Sequence, residues 1–220
     1  MKTIIIALLL GCFLFAGCNL IDKATVSCLP NYEKKYSTLR LPNHATAGNG
    51  IRYDGFYAHT SYYETSDKVD TIFALYFFYE DGSFIWICRN DISNEFKKNV
   101  SKNISTWRKG DRWNHNCGVY AANQDTINME YYGHSYSSFY KLTIKKFLIT
   151  DEKHIRHISQ TYFDKGKPWT KAKDDDYYFV QADSIPPPYC FIKQEKWIWK
   201  DKHDWKNYME KKKHRSEQEH

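Results

Sequence analysis

Residues 71–88 read TIFALYFFYEDGSFIWIC and carry the clearest structural pattern in the chain. Two β-prone runs flank Asp81 and Gly82, and Asp-Gly between such runs is the strongest short-range indication of a β-hairpin. Both faces of the first run are apolar, so we expect this hairpin to be central in its sheet.

Short β-prone segments continue on both sides of the hairpin. Further strands are predicted at 51–60, 118–122, 126–132, 139–149, 154–163, 177–182 and 190–200. A parallel sheet needs helices between its strands, and the apolar spacing of four residues predicts only one such helix, at 91–104, with a short terminal helix at 204–213. The pattern therefore predicts a mainly β fold, either a closed antiparallel meander barrel or a two-sheet sandwich. We interpret 165–176 as a long loop, because it contains Gly, Pro and three consecutive Asp residues.

The N-terminus has the pattern of an export signal. Lys2 precedes an apolar run at 4–17, which is too short for an ordinary transmembrane helix. The run ends in Leu14-Phe15-Ala16-Gly17-Cys18, which resembles the lipobox of bacterial lipoproteins. That resemblance implies a signal peptide at 1–17, cleavage before Cys18, and lipid, including palmitate, on the Cys18 thiol.

Alternatives to this interpretation are a second lipobox-like sequence that ends at Cys12, an ordinary secretory signal and an uncleaved anchor helix. Asn19 follows the lipidation site where Asp would indicate retention in the inner membrane. We therefore expect a protein of the cell envelope, anchored in the outer membrane by lipid on Cys18.

Three stretches taken together resemble the lipocalin-like barrels of lipoproteins from Bacteroidetes-type bacteria. They are 54–57 (DGFY), the hairpin segment 77–84 (FFYEDGSF) and 117–120 (CGVY). The resemblance implies an antiparallel barrel of about eight strands, whose interior is filled by side chains or holds one small apolar ligand. The expected organisation is signal peptide 1–17, lipidated tether 18–50, barrel domain 51–200, and C-terminal helix and tail 201–220.

Composition excludes several classes of function. The 220 residues suffice for one well-buried domain. The net charge of +6 is slight, and no glycine-rich phosphate loop is present, so we expect neither a nucleotide nor a nucleic-acid partner. The cysteines outside the signal and lipidation site permit two disulfides or buried free thiols, and these cysteines are Cys28, Cys88, Cys117 and Cys190.

The sequence contains several patterns that partly resemble catalytic, metal-binding or glycan-binding sites. The sequence around Ser135 is one residue from a nucleophile elbow, but a strand rather than a helix is predicted after it. On a strand, His154 and His157 point to opposite faces and do not chelate together. The acidic run at 174–176 lacks the spaced ligands of a calcium loop. Aromatic residues near the C-terminus are an alternative candidate, either as core side chains or as a platform for a glycan, and they are Tyr177, Tyr178, Tyr189, Trp197, Trp199 and Trp205.

We therefore predict no catalytic, cofactor-binding or metal-binding residue, and Cys18 as the one modified site. The leading hypothesis is a non-enzymatic envelope lipoprotein, whose barrel binds a small apolar ligand or serves as a scaffold. A surface module for a glycan or a partner protein is the alternative. A serine hydrolase acting through Ser135 is the third.

Overall fold

The computed structural model describes residues 36–41, 50–64, 69–100, 102, 117–134, 140–164, 167–188 and 190–218. In this part of the chain the strands are β1 (Gly55–Glu64), β2 (Val69–Phe78), β3 (Ser83–Arg89), β4 (Cys117–Asn123), β5 (Thr126–His134), β6 (Tyr140–Asp151), β7 (His154–Asp164) and β8 (Lys167–Gln181). The helices are α1 (Asn94–Lys98) and α2 (Lys202–Gln218), and two 3-10 helices, Phe191–Gln194 and Lys196–Ile198, precede α2.

The strands form a closed barrel. Each strand pairs antiparallel with the next one, and β8 returns to pair with β1, where Phe56 lies opposite Val180. The predicted mainly β, antiparallel, lipocalin-like meander barrel is confirmed, and the sandwich alternative is wrong. Closure gives each strand a neighbour on both sides.

The hairpin of β2 and β3 is built as its sequence predicts. Asp81 Oδ1 accepts hydrogen bonds from the Ser83 amide at 2.9 Å and from the Ser83 hydroxyl at 2.6 Å. Gly82 has φ 82°, a backbone conformation that residues with a side chain disfavour. Side chains of this hairpin are buried on the inner face, as with Tyr76 and Phe84, and on the outer face, as with Phe77.

An additional layer covers part of the barrel's outer face. Three segments pack there, namely residues 36–41, α1 and the stretch from 182 to 199. Two of them are joined, because the Leu41 amide donates to the Ile198 carbonyl and the Lys200 amide donates to the Leu41 carbonyl, both at 2.7 Å. Strands beneath this layer therefore bury apolar side chains on both faces.

A disulfide fixes part of this outer layer. Cys117 at the start of β4 is bonded to Cys190, with the two Cα atoms 5.5 Å apart. Cys88 is a free thiol, and Cys28 lies outside the described residues. The next residue, Gly118, has no space for a side chain, since a Cβ there would lie 1.9 Å from the Glu130 carbonyl oxygen.

Two predictions of local structure are wrong. The stretch 190–200 is not a strand but two 3-10 helices, because Trp197 and Trp199 bury their rings against the barrel's outer face without pairing into the sheet. The described part of the predicted loop, 167–176, belongs to a strand instead, because β8 begins at Lys167 and pairs with β7 as far as Tyr178, with one register shift. Ladder hydrogen bonds with a neighbouring strand outweigh the low β-propensity of three consecutive Asp residues.

Both predicted helices are present, but their bounds differ from the prediction: α1 spans Asn94–Lys98 where 91–104 was expected, and residues 101, 103 and 104 lie outside the described residues. Ser93 caps α1 by accepting a hydrogen bond from the Phe96 amide at 3.3 Å. Phe96 and Val100 are buried, as their spacing predicts. The terminal helix is longer than expected and spans Lys202–Gln218. Among the described residues, no helix has the length and apolar character needed to cross a membrane.

Candidate ligand-binding site

Aromatic side chains fill one half of the barrel interior. This half adjoins the short turns at 79–82, 124–125 and 152–153, and its rings are in direct contact, with centroids of Phe78 and Tyr120 4.9 Å apart. The backbone at 50–54 lies over this end, where the Arg52 amide donates to the Tyr57 hydroxyl at 3.1 Å. Ring packing of this density leaves little space for a ligand there.

The other half contains a lysine among aromatic rings. Lys145 on β6 points inward, and its Nζ donates a hydrogen bond to the Tyr76 hydroxyl at 2.7 Å. Three ring centroids surround the same nitrogen, Trp86 at 5.1 Å and both Tyr76 and Tyr131 at 5.4 Å. We call these four side chains the lysine cage.

The alternation of β6 explains why a lysine lies inside. Lys145 shares the inner face of the strand with Phe147 and Ile149, which pack in the interior cluster. Ile144 faces the outer layer, and Lys146 is exposed. An inward lysine is costly to desolvate, and the ring faces together with the Tyr76 hydroxyl offset part of that cost.

Desolvation changes the acid–base behaviour of the cage. Burial lowers the pKa of Lys145 to about 8, with Lys173 adding repulsion, while Cys88 and Asp175 act in the opposite direction. Burial raises the pKa of the Tyr76 hydroxyl well above its ordinary value, and that hydroxyl is also hydrogen-bonded to Tyr177. The lysine is therefore mostly charged at neutral pH and loses its proton under mildly alkaline conditions.

A histidine lies beside the cage on the next strand. His157 is buried and stacks on Phe147 with ring centroids 4.7 Å apart. Its Nδ1 lies 3.2 Å from Asp175 Oδ2, and its Nε2 lies 3.1 Å from the Ser159 carbonyl oxygen. Burial, together with the charge of Lys145, lowers the pKa of His157 to about 4. At neutral pH the ring is uncharged and donates to one of the two oxygens.

Cys88 adds a thiol to the same region. It follows Trp86 on the inner face of β3 and is exposed. Desolvation by its surroundings nevertheless raises the pKa of the thiol, although the charge of Lys145 opposes this effect. The thiol therefore stays protonated at neutral pH. Within the described ranges, no group of three or more His, Cys, Asp or Glu side chains is placed to hold a metal ion.

The structure places some of the predicted site residues. His154 lies at the β6–β7 turn, half-buried against Tyr178, while His157 points inward, so the prediction that these histidines face opposite sides is confirmed. Asp175 faces His157, and Asp176 pairs outward with Arg156 at 2.8 Å. Cys18 and Ser135 lie outside the described residues, and β6 rather than a helix follows the Ser135 segment.

The described members of the predicted aromatic platform do not form one surface. Tyr177 lies inside the barrel, whereas Tyr178 is exposed on the outer face. Trp197 and Trp199 pack in the outer layer, and Trp205 donates to the Gln194 carbonyl at 2.9 Å. Tyr189 lies outside the described residues.

Comparison with known proteins gave no relative. No family model matches the chain, and no curated protein or solved structure is significantly similar to it. The barrel and the lysine cage are therefore interpreted from their own chemistry.

Proposed function

We propose that this protein is a non-enzymatic, lipid-anchored binding protein of the cell envelope, and that it holds a small amphiphilic molecule in the half of the barrel that contains Lys145. The observation that carries this proposal is the lysine cage, in which an inward-facing amine lies among three aromatic rings with one hydrogen bond to Tyr76. The rings favour an apolar body, and the amine favours an anionic or carbonyl head group.

The remaining hydrogen-bonding capacity of Lys145 supports an anionic head. An ammonium group has three hydrogens to donate, and within the described residues Nζ donates one of them, to Tyr76. A carboxylate placed at Nζ would pair with a charge that burial otherwise disfavours. Such a charge-assisted bond is strong in surroundings of low dielectric constant.

The occupied half of the interior limits the size of the ligand. Contacting rings fill the end of the barrel near Tyr57 and Tyr120, so a ligand occupies the half near Lys145 and does not extend through the barrel. A medium-chain fatty acid or an aromatic acid has a suitable apolar body and the required head group.

Binding is tested with the chain that lacks only residues 1–18, none of which belongs to the described barrel. Native mass spectrometry of this protein, after incubation with an envelope extract and repurification, should show a bound species, and decanoate should displace it. Lys145→Met should weaken decanoate binding at least tenfold, while Lys146→Met, which alters the exposed neighbour, should leave it within twofold of wild type. An unliganded mass together with no decanoate binding would support a scaffold role and refute the proposal.

Lipid attachment is tested separately. Metabolic labelling with an alkyne analogue of palmitate should mark the wild-type chain and the Cys28→Ser variant, and should fail for Cys18→Ser. Equal labelling of all three would show that Cys18 is not the lipidation site.

A glycan-binding surface is the second candidate, and one observation favours it. Trp169 at the start of β8 is 51% exposed and stacks on Tyr162 with ring centroids 4.6 Å apart. An exposed indole ring supported by a stacked neighbour suits the apolar face of a sugar. Trp169→Ala should abolish retention on a glycan array if this candidate is right, and should leave decanoate binding unchanged.

A further inference from the structure

The Lys145 nitrogen is held in an arrangement that suits a nucleophile. Its Nζ donates to Tyr76, and the Tyr76 hydroxyl is in turn hydrogen-bonded to Tyr177. In this chain of hydrogen bonds Tyr76 accepts from the amine, so the nitrogen lone pair of the neutral amine is not used by Tyr76. The three rings at 5.1 to 5.4 Å hold the nitrogen in place.

We propose that Lys145 is a covalent ligand site, where the amine forms a reversible imine with the carbonyl carbon of an aldehyde bound in the barrel. This inference rests on the proposed function, since it assigns a second ligand class to the same interior site. Both the fixed amine and its apolar surroundings favour it, because nucleophilic lysines are those held in desolvated pockets.

The reaction balances without any oxidant or reductant. The nitrogen lone pair attacks the aldehyde carbon, the C=O π electrons move to oxygen, and one N–H proton is transferred to that oxygen to give a carbinolamine. Loss of water, made of that hydroxyl and the second N–H proton, leaves the C=N bond. Addition of water reverses each step and releases the aldehyde unchanged.

The protonation states favour the Lys145 amine over the neighbouring Cys88 thiol as the nucleophile. With a pKa of about 8, roughly a quarter of Lys145 is neutral at pH 7.5, against about one in a thousand for an ordinary lysine. The raised pKa of Cys88 keeps that thiol protonated and weakly nucleophilic. The charged or titratable groups that act on Lys145 are Cys88, Lys173 and Asp175. Those that act on His157 are Lys145, Lys173 and Asp175.

The cage also suits the product. A protonated imine keeps a positive charge at the former amine nitrogen, and that charge remains within reach of the faces of Trp86 and Tyr131. The apolar tail of the aldehyde replaces water around the C=N bond, which slows hydrolysis.

The inference is tested by trapping the imine. The chain lacking residues 1–18 is incubated with decanal and sodium cyanoborohydride, and modified lysines are located by peptide mass spectrometry. We expect a mass gain equal to decanal less one oxygen, located at Lys145 at least tenfold faster than at Lys146. Decanoate, which occupies the same site, should slow the labelling of Lys145.

Two variants act as controls. Lys145→Met should remove the fast-reacting site, and Lys146→Met should leave labelling of Lys145 unchanged, with circular dichroism showing that both variants are folded. Uniform labelling of surface lysines, or addition at Cys88 instead of Lys145, would overturn the inference. If decanoate binds and Lys145 is not labelled, only the inference falls. If decanoate fails to bind as well, the proposed function falls with it.

Discussion

The carboxylate of Glu130 accepts a hydrogen bond from the backbone amide of Leu39 at 2.9 Å, across 91 positions of sequence. Glu130 lies on the outer face of β5, buried beneath the segment 36–41. The same carboxylate accepts from the Thr38 amide at 2.5 Å and from the Ser37 hydroxyl at 2.7 Å. One side chain thus satisfies consecutive donors of the segment that leads into the barrel.

Glu130→Ala should release this segment. The change leaves the amides of Thr38 and Leu39 and the hydroxyl of Ser37 without their acceptor, and we expect a loss of about 2–4 kcal/mol in the free energy of unfolding. Urea denaturation measures the loss, and limited trypsin digestion should cut after Arg40 faster than in wild type. Glu152→Ala at the exposed β6–β7 turn is the control, with a change under about 0.5 kcal/mol. Equal effects of the two substitutions would contradict this role of Glu130.

Loss of the Cys117–Cys190 disulfide should destabilise the fold. The bond closes a loop between residues 73 positions apart, and a loop of that length contributes about 4 kcal/mol through the restricted unfolded chain. Cys190→Ser should therefore lower the midpoint of urea unfolding, and a reducing agent should lower that of wild type to a similar value. Cys88→Ser serves as the control, because its thiol is free and exposed. A midpoint that dithiothreitol leaves unchanged would show that the bond contributes little.

Gly118→Ala should prevent normal folding of β4. The added Cβ would lie 1.9 Å from the Glu130 carbonyl oxygen and 2.7 Å from a carbon of the Phe84 ring. Backbone cannot yield as a flexible side chain can, so we expect a loss of more than about 3 kcal/mol or an insoluble product. Asn123→Ala, at the exposed end of the same strand, should fold normally in the same expression trial. A soluble Gly118→Ala protein of wild-type stability would show that the two strands can separate locally.

Binding of an anionic ligand should weaken with rising pH. The pKa of Lys145 is lowered to about 8, so the free protein loses the ammonium charge as the pH passes that value. The ion pair with decanoate is present below pH 8, and affinity should fall about tenfold between pH 7 and pH 9. Isothermal titration calorimetry at both pH values checks this. Lys145→Met should bind weakly at both, and a wild-type affinity that does not change with pH would exclude a charged Lys145 as the anchor.

Local patterns predicted the barrel well, because each hairpin is specified within a short stretch. The Asp81-Gly82 turn and the alternation around it required no knowledge of distant residues. The segment at 190–200 shows the limit of such patterns. Trp197 and Trp199 occupy alternate positions as in a strand, yet a 3-10 helix lying on an apolar surface buries them equally well.

The lysine cage was missed for a related reason. Along β6, Lys145 lies on the face of the strand opposite to that of Leu142 and Ile144. Such alternation normally predicts that the apolar face is buried and that the lysine faces solvent. In the structure the outer layer covers Ile144, so this apolar side chain faces outward and Lys145 faces the barrel interior. The sequence did contain one indication that Lys145 faces inward, because Phe147 and Ile149 lie on the same face of the strand and are apolar. Choosing between the two faces required knowing that segments far away in sequence cover the outside of the barrel.

The hydrogen bonds to Glu130 also limit the distance between the barrel and a lipid anchor on Cys18. The segment is fixed to the barrel from Ser37 onward, so a lipid on Cys18 would leave 19 residue steps between the membrane and the barrel. At full extension that length reaches about 65 Å. A protein held within this reach meets molecules that dissolve in or leave the bilayer before those deeper in the compartment. If Cys18 carries lipid as proposed, the attachment of residues 37–39 to one carboxylate would keep the barrel close to the membrane.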